Sequence, residues 1–251
     1  MGIVRSQSIK NSISFYIGMA IGAINTVIIY PNVFNDCPEH LGLIQIIIAY
    51  AIVIATFSSL GMPKAFIKFF PSIKQKGQLY FFSLLIPLLG FVFSLLVYLL
   101  FKDDVFRVLN ANDLLKDNFF YILILVFFIS FYDLLTAVSR SFLNATTPVF
   151  INEVFLKIYS MSVLLLHWFD VVDFTTFLQI YLFGYFLKFT ILFFLQWKSD
   201  RLEIDYSFVN LDLKELLRFG FYVLIGGASI IIVTRLDMMM IGALLDLEQV
   251  A

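Results

Sequence analysis

The chain has 251 residues, of which 61% are hydrophobic and 14% charged, with a net charge of -1. Soluble domains average about 45–50% apolar and about 25% charged residues, so this composition excludes an ordinary water-soluble fold and indicates an integral membrane protein. Lys and Arg form no dense patch, which argues against nucleic-acid binding, and the single Cys37 leaves no intrachain disulfide to make.

Met1 to Lys10 is polar, with Arg5 and Lys10, and residues 13–30 then run apolar to Pro31. A helix rises ~1.5 Å per residue, so roughly twenty apolar residues cross the ~30 Å hydrocarbon core. This run is too long for a removable signal peptide and lacks a small-residue cleavage site, so it is expected to remain as a span. After an acidic loop with Asp36 and Glu39 comes an uncharged second span, 41–60. Residues 61–78 carry Lys64, Lys68, Lys74 and Lys76 among Phe66, Phe69 and Phe70, and read as an ordinary basic loop with a secondary role in gripping anionic headgroups. The third span is 79–101, followed by a mixed-charge loop over 102–117. A fourth span, 118–138, holds Asp133 and ends in a tight turn around Arg140. The fifth, 148–169, holds Glu153 and Lys157. The sixth, 174–197, follows a short acidic turn and holds Lys188. A polar loop over 198–218 leads to the seventh, 219–245, which carries Arg235 and Asp237 well inside. The expected fold class is an all-α integral membrane protein, a polytopic helix bundle.

Lys and Arg concentrate in the cytoplasmic loops of such proteins. One set of alternate segments holds Arg5, Lys10, the four lysines after span two, Arg140, Lys198, Arg201, Lys214 and Arg218; the other holds only Lys102, Arg107 and Lys116. The asymmetry puts the N-terminus in the cytoplasm.

The odd span number and the abrupt end at Ala251 suggest an incomplete chain. FYIGMAIGAINTV, from Phe15 to Val27, lines up with FYVLIGGASIIIV, from Phe221 to Val233. Both follow a short segment of spaced apolar and basic residues, as when a transporter is built from two halves that open alike. On that reading residues 1–209 form an N-terminal six-helix lobe. Residues 210–251 form the cytoplasmic lead-in and first helix of a second, incomplete lobe.

Three stretches carry a family resemblance: the polar lead-in to span one, GMPKAFIKFFP from Gly61 to Pro71, and TRLDMMMIG from Thr234 to Gly242. With these the chain resembles a polysaccharide (O-antigen-type) flippase of the multidrug/oligosaccharidyl-lipid/polysaccharide exporter superfamily. The resemblance implies twelve to fourteen helices in two lobes around a central cavity, of which about seven are present. It also implies alternating-access movement of an undecaprenyl pyrophosphate-linked oligosaccharide across the bacterial inner membrane for surface polysaccharide such as the O-antigen of lipopolysaccharide. Membrane lipids and polysaccharide assembly enzymes are the implied partners, with coupling to a Na⁺ or H⁺ gradient.

Six ionisable residues lie inside spans: Asp133, Glu153, Lys157, Lys188, Arg235 and Asp237. A charge at the bilayer centre costs about 2.5–3.5 kcal/mol on insertion scales, so such residues face a bundle interior or a wet cavity. Glu153 and Lys157, four apart, can pair on one face. Lys188 lies ~14 Å from the inner end of its span, too deep to snorkel comfortably, and Lys157 lies at ~15 Å, level with it. Two cations at matched depth on consecutive helices can line one cavity, with a structural pairing of Lys188 to Asp133 or Glu153 as the alternative. Arg235 suits bidentate phosphate contacts, or a salt bridge to the first lobe. Lys157, Lys188 and Arg235 are therefore the candidate substrate-binding cations, and Asp133, Glu153 and Asp237 the candidate ion-coupling carboxylates. A Na⁺- or H⁺-coupled multidrug exporter of the same fold is the alternative, although its cavity should be net acidic. A polyprenyl-phosphate sugar transferase or polymerase is disfavoured because no large outer loop exists to carry its catalytic groups. No Walker motif is present, so no ATP use or other cofactor is expected. Cys37, Glu39 and His40 lack the second ligand pair of a metal site.

Overall fold

The computed structural model describes residues 2–199, 205–206, 212–244 and 247–250, apart from the side chains of residues 3 and 4. The expected lobe boundary at 209/210 lies outside the described residues, as does Leu245 at the end of the expected seventh span. Among the described residues seven helices are long and apolar enough to cross a membrane, and the protein is a multi-pass, all-helical bundle. They are α1 (Arg5–Val33), α2 (Pro38–Ser58), α4 (Lys76–Leu100), α6 (Asp113–Ser141), α7 (Thr146–Trp168), α8 (Phe174–Trp197) and α9 (Leu213–Leu244). Two short helices lie between them, α3 (Met62–Phe69) and α5 (Lys102–Val108). The side on which α1 begins is called the N-side below.

α2 and α6 form the centre, with their most apolar stretches largely enclosed, while α4 touches the bundle by one edge. Lipid tails are as apolar as leucine, so association here depends on close packing and on hydrogen bonds between helices. Small residues supply both. Ala49, Ala51 and Ala55 of α2 are fully buried, and Ser130 of α6 donates to the Ala55 carbonyl at 3.3 Å as well as to Val126 of its own helix. Gly90 of α4 has no room for a Cβ against the backbone of Ser58, and the Ser58 and Ser94 hydroxyls meet at 3.2 Å.

The structure departs from the expected elements at three places, each with a local cause. Helix α1 continues through Pro31 to Val33 instead of stopping at the proline. A wide π-turn over Asn25–Ile29 precedes it, which turns the chain before the ring can collide with the preceding carbonyls. The basic loop after α2 contains α3, which buries Met62, Ala65 and Phe66 at helical spacing and exposes Lys64 and Lys68. The mixed-charge loop contains α5, and the Asn112 side chain accepts from Leu115 N at 2.9 Å, starting α6 earlier than its apolar run does.

Leu60 (φ 45°) and Gly61 (φ 68°) turn the chain from α2 into α3, and Gly61 lies against the carbonyl of Gly220 in α9. A Cβ at either glycine would collide with the opposing backbone, so the pair brings α9 into main-chain contact with the turn. Beyond it α9 buries Leu216, Gly220, Leu224 and Ala228, a stripe four residues apart that rests on α2 and α3. Its other faces, with Phe221, Tyr222, Ile230 and Val233, are exposed. Toward the opposite end Gly242 lies against Ile46 of α2, and a terminal 3₁₀ turn (Leu247–Val250) packs against Gly42.

Candidate functional site

A cavity of about 460 Å³ lies in the middle of the bundle, walled by α1, α2, α6, α7, α8 and α9. Asp133, Lys157, Lys188 and Arg235 all line it. Lys157 and Lys188, level by depth along their separate helices, therefore share one space. Two π-turns flank it: Asn25–Ile29 in α1, which supplies Asn25 and Thr26, and Ile151–Phe155 in α7, which supplies Asn152. π-turns widen a helix by one residue and re-aim the side chains beside it. Helices α1 and α7 can sit this close because Gly18 lies against the Glu153 carbonyl and Gly22 against the Lys157 ammonium.

Lys157, Glu153 and Lys188 are held by a single chain of contacts. Lys157 Nζ pairs with Glu153 Oε2 at 3.0 Å, in the favourable order four residues apart. Asn152 Nδ2 donates to the other Glu153 oxygen at 2.9 Å, and Asn152 Oδ1 accepts from Lys188 Nζ at 3.1 Å. The Lys188 ammonium also lies 4.5 Å from the ring centroid of Tyr132 and 4.7 Å from that of Tyr185, within cation–π range. Lys188 is 5% exposed, so it points into the protein and not toward lipid. Gly184, one turn back, is packed against Tyr159, as its place on the Lys188 face suggests. Direct pairing of Lys188 with Asp133 or Glu153, the structural alternative, is not what forms. Among the described residues no carboxylate oxygen lies within 4.0 Å of Lys188, and an amide connects it to Glu153 instead.

Arg235 likewise has no carboxylate within 4.0 Å among the described residues. It borders both this cavity and a second of about 640 Å³ on the side away from the N-side, where Tyr30, Asn35 and Gln45 are among the lining residues. Asp133 borders the central cavity and a third, of about 380 Å³, on the N-side. The three spaces thus adjoin through Arg235 and Asp133 as one seam along the bundle. Asp237 is exposed on α9 and lines none of the three.

Sequence reasoning overlooked Asn152, Tyr132, Tyr185 and Asn25. Asn25 is 4% exposed and its Oδ1 has no hydrogen-bond partner among the described residues. An amide in the middle of an apolar run was the signal available for both asparagines, since an unpaired polar group in hydrocarbon is costly. The tyrosines gave none, being common in spans. At the end of the bundle away from the N-side, His40 stacks on Phe174 at 3.6 Å between ring centroids.

The class the geometry defines is a multi-pass helical membrane protein with a charged internal seam. No protein-family model, no curated protein and no solved structure matches the chain.

Proposed function

We propose that this protein is a secondary transporter that flips an undecaprenyl pyrophosphate-linked oligosaccharide across the bacterial inner membrane for surface polysaccharide synthesis. The observation that carries the reading is the convergence of Lys157, Lys188 and Arg235 on one mid-bundle cavity whose only lining carboxylate, among the described residues, is Asp133. Glu153 offsets Lys157 and Asp133 stands against Lys188 and Arg235, so the space keeps an excess of one cation. Such a space attracts an anionic head, and Arg presents a planar fork suited to phosphate. A flippase breaks no covalent bond, so this assignment is not to an enzyme. The N-terminus lies in the cytoplasm on the Lys and Arg distribution. The family resemblance of the Gly61–Pro71 and Thr234–Gly242 stretches supplies the substrate class and the two-lobe architecture.

Asp133, open to both the central and the N-side cavity, is the carboxylate best placed to couple transport to Na⁺ or H⁺. That same carboxylate is the one observation in favour of a multidrug exporter of cations. Lys188 and Arg235, the two lining cations without an ion pair among the described residues, outnumber it and weigh against that reading.

The test is surface polysaccharide output from a strain carrying Lys188→Ala, Arg235→Ala or both in the full-length protein. Each single change should lower output about tenfold, the equivalent of losing one charge-assisted contact, and the double change should lower it further. Unchanged output from both single variants would remove the cationic-cavity mechanism.

A further inference from the structure

Two asparagines stand in the wall of the central cavity, and they are used differently. Asn152 is committed at both ends of its amide, to Lys188 and to Glu153. Asn25 is buried, and its Oδ1 has no partner among the described residues. Unmet groups are not the rule in this bundle: the buried hydroxyls of Ser58, Ser130, Ser139 and Ser160 all have partners. Ser83 Oγ is likewise unmet, but it lines none of the three cavities. An enclosed polar atom without a partner is costly, so one kept at the edge of a binding space calls for an occupant that meets it. The π-turn that carries Asn25 also brings Thr26, and just past it Tyr30, to the same cavity. The wall that α1 supplies is therefore polar and uncharged, whereas the cations stand on α7, α8 and α9 and the carboxylate Asp133 on α6.

From this division we infer, on the reading of this cavity as a site for an anionic head, that it recognises a sugar phosphate by both parts: the cations hold the phosphate, and Asn25 reads a hydroxyl of the attached sugar. A phosphodiester or pyrophosphate linkage offers acceptors only and leaves Asn25 Oδ1 unmet. An ammonium could donate to it, but Lys188 and Arg235 line the same space with Asp133 alone against them, which disfavours a further cation. A hydroxyl is neutral, and it both donates and accepts. It therefore meets either end of the amide once the broad terminal torsion of Asn25 turns that end to the cavity. A volume of about 460 Å³ is in the range of pockets that take a whole small molecule, so a sugar ring fits beside the phosphate.

The experiment is calorimetric titration of the purified full-length protein in detergent with glucose 1-phosphate and with methyl phosphate, at about pH 8 where both are dianions. Glucose 1-phosphate should bind about fivefold more tightly, the worth of one net hydrogen bond. Asn25→Ala should abolish that preference, leave methyl phosphate binding unchanged and unfold near the temperature of the parent, because the amide it removes has no partner to lose. Asn25→Leu refills the space with an apolar side chain and should give the same binding result, so a mere gap in the wall would not explain it. Ser83→Ala removes an unmet hydroxyl away from the three cavities and should keep the preference. A preference that persists in either Asn25 variant would overturn the inference, as would equal binding of the two probes by the parent. Binding of neither probe would overturn it together with the anionic-head reading, so the two failures are told apart.

Discussion

The ammonium of Lys188 sits 3.1 Å from Asn152 Oδ1, and the other end of the same amide donates to Glu153. One neutral side chain thus lies between a deep cation and the carboxylate that could have cancelled it. Asn152→Leu removes both bonds and leaves the ammonium with two aromatic faces alone. The expected cost is about 1–3 kcal/mol of stability, the range for a buried polar group that loses its partner. Thermal unfolding of the purified protein measures it. Asn152→Asp places a formal charge beside Lys188 but turns its second oxygen on Glu153, so transport of an anion should fall and some stability should be lost with the Glu153 bond.

Lys188→Met separates stability from transport in the opposite direction. Removing the buried ammonium relieves its desolvation but leaves Asn152 Oδ1 without its donor, so the two effects oppose each other. The variant should unfold close to the temperature of the parent and yet lose surface polysaccharide. A protein that both unfolds early and transports normally would contradict both parts of the argument.

Gly61→Ala tests the contact between the α2–α3 turn and α9. The left-handed backbone at φ 68° costs a residue with a Cβ about 1–2 kcal/mol, and the overlap with the Gly220 carbonyl adds to it. The combined loss should be at least about 2 kcal/mol. Limited proteolysis should show α9 released before the rest of the bundle, since its buried stripe rests on α2 and α3.

Asp173 begins α8 from outside the membrane-spanning segments. Its side chain accepts from the Thr176 hydroxyl at 2.6 Å and from the Thr176 backbone N–H at 3.4 Å. These bonds, the hydroxyl's first, hold its carboxyl below the ordinary carboxylate range. A depressed value stabilises the folded state above the unfolded value and is lost as pH falls through the folded one. Hydrogen exchange should therefore show the first turn of α8 protected near neutral pH and fraying below about pH 4. Asp173→Ala should remove that dependence, and Thr176→Val should weaken it.

The spans were legible because apolar length is a local property, and a run of twenty such residues has few other uses. The inward orientation of Lys188 was equally legible, because a charge in hydrocarbon has to face protein or water. What joined Lys188 to its surroundings was not. Asn152 reaches it from 36 residues away, and the choice of an amide over the nearby carboxylates depends on how the π-turn aims α7. Helices α3 and α5 escaped notice because seven or eight residues give a periodic pattern too short to stand out among charges. Asp237 shows the limit of the inward rule. It lies two residues from Arg235 on the same helix, yet it is turned away from all three cavities.

Helix α9 is pinned twice, at Gly220 by the turn after α2 and at Gly242 by Ile46. Between these two rivets the helix borders the central cavity through Arg235. Widening the seam at its middle therefore asks a single rod to bow between fixed ends, and Arg235 rides on the part that bends.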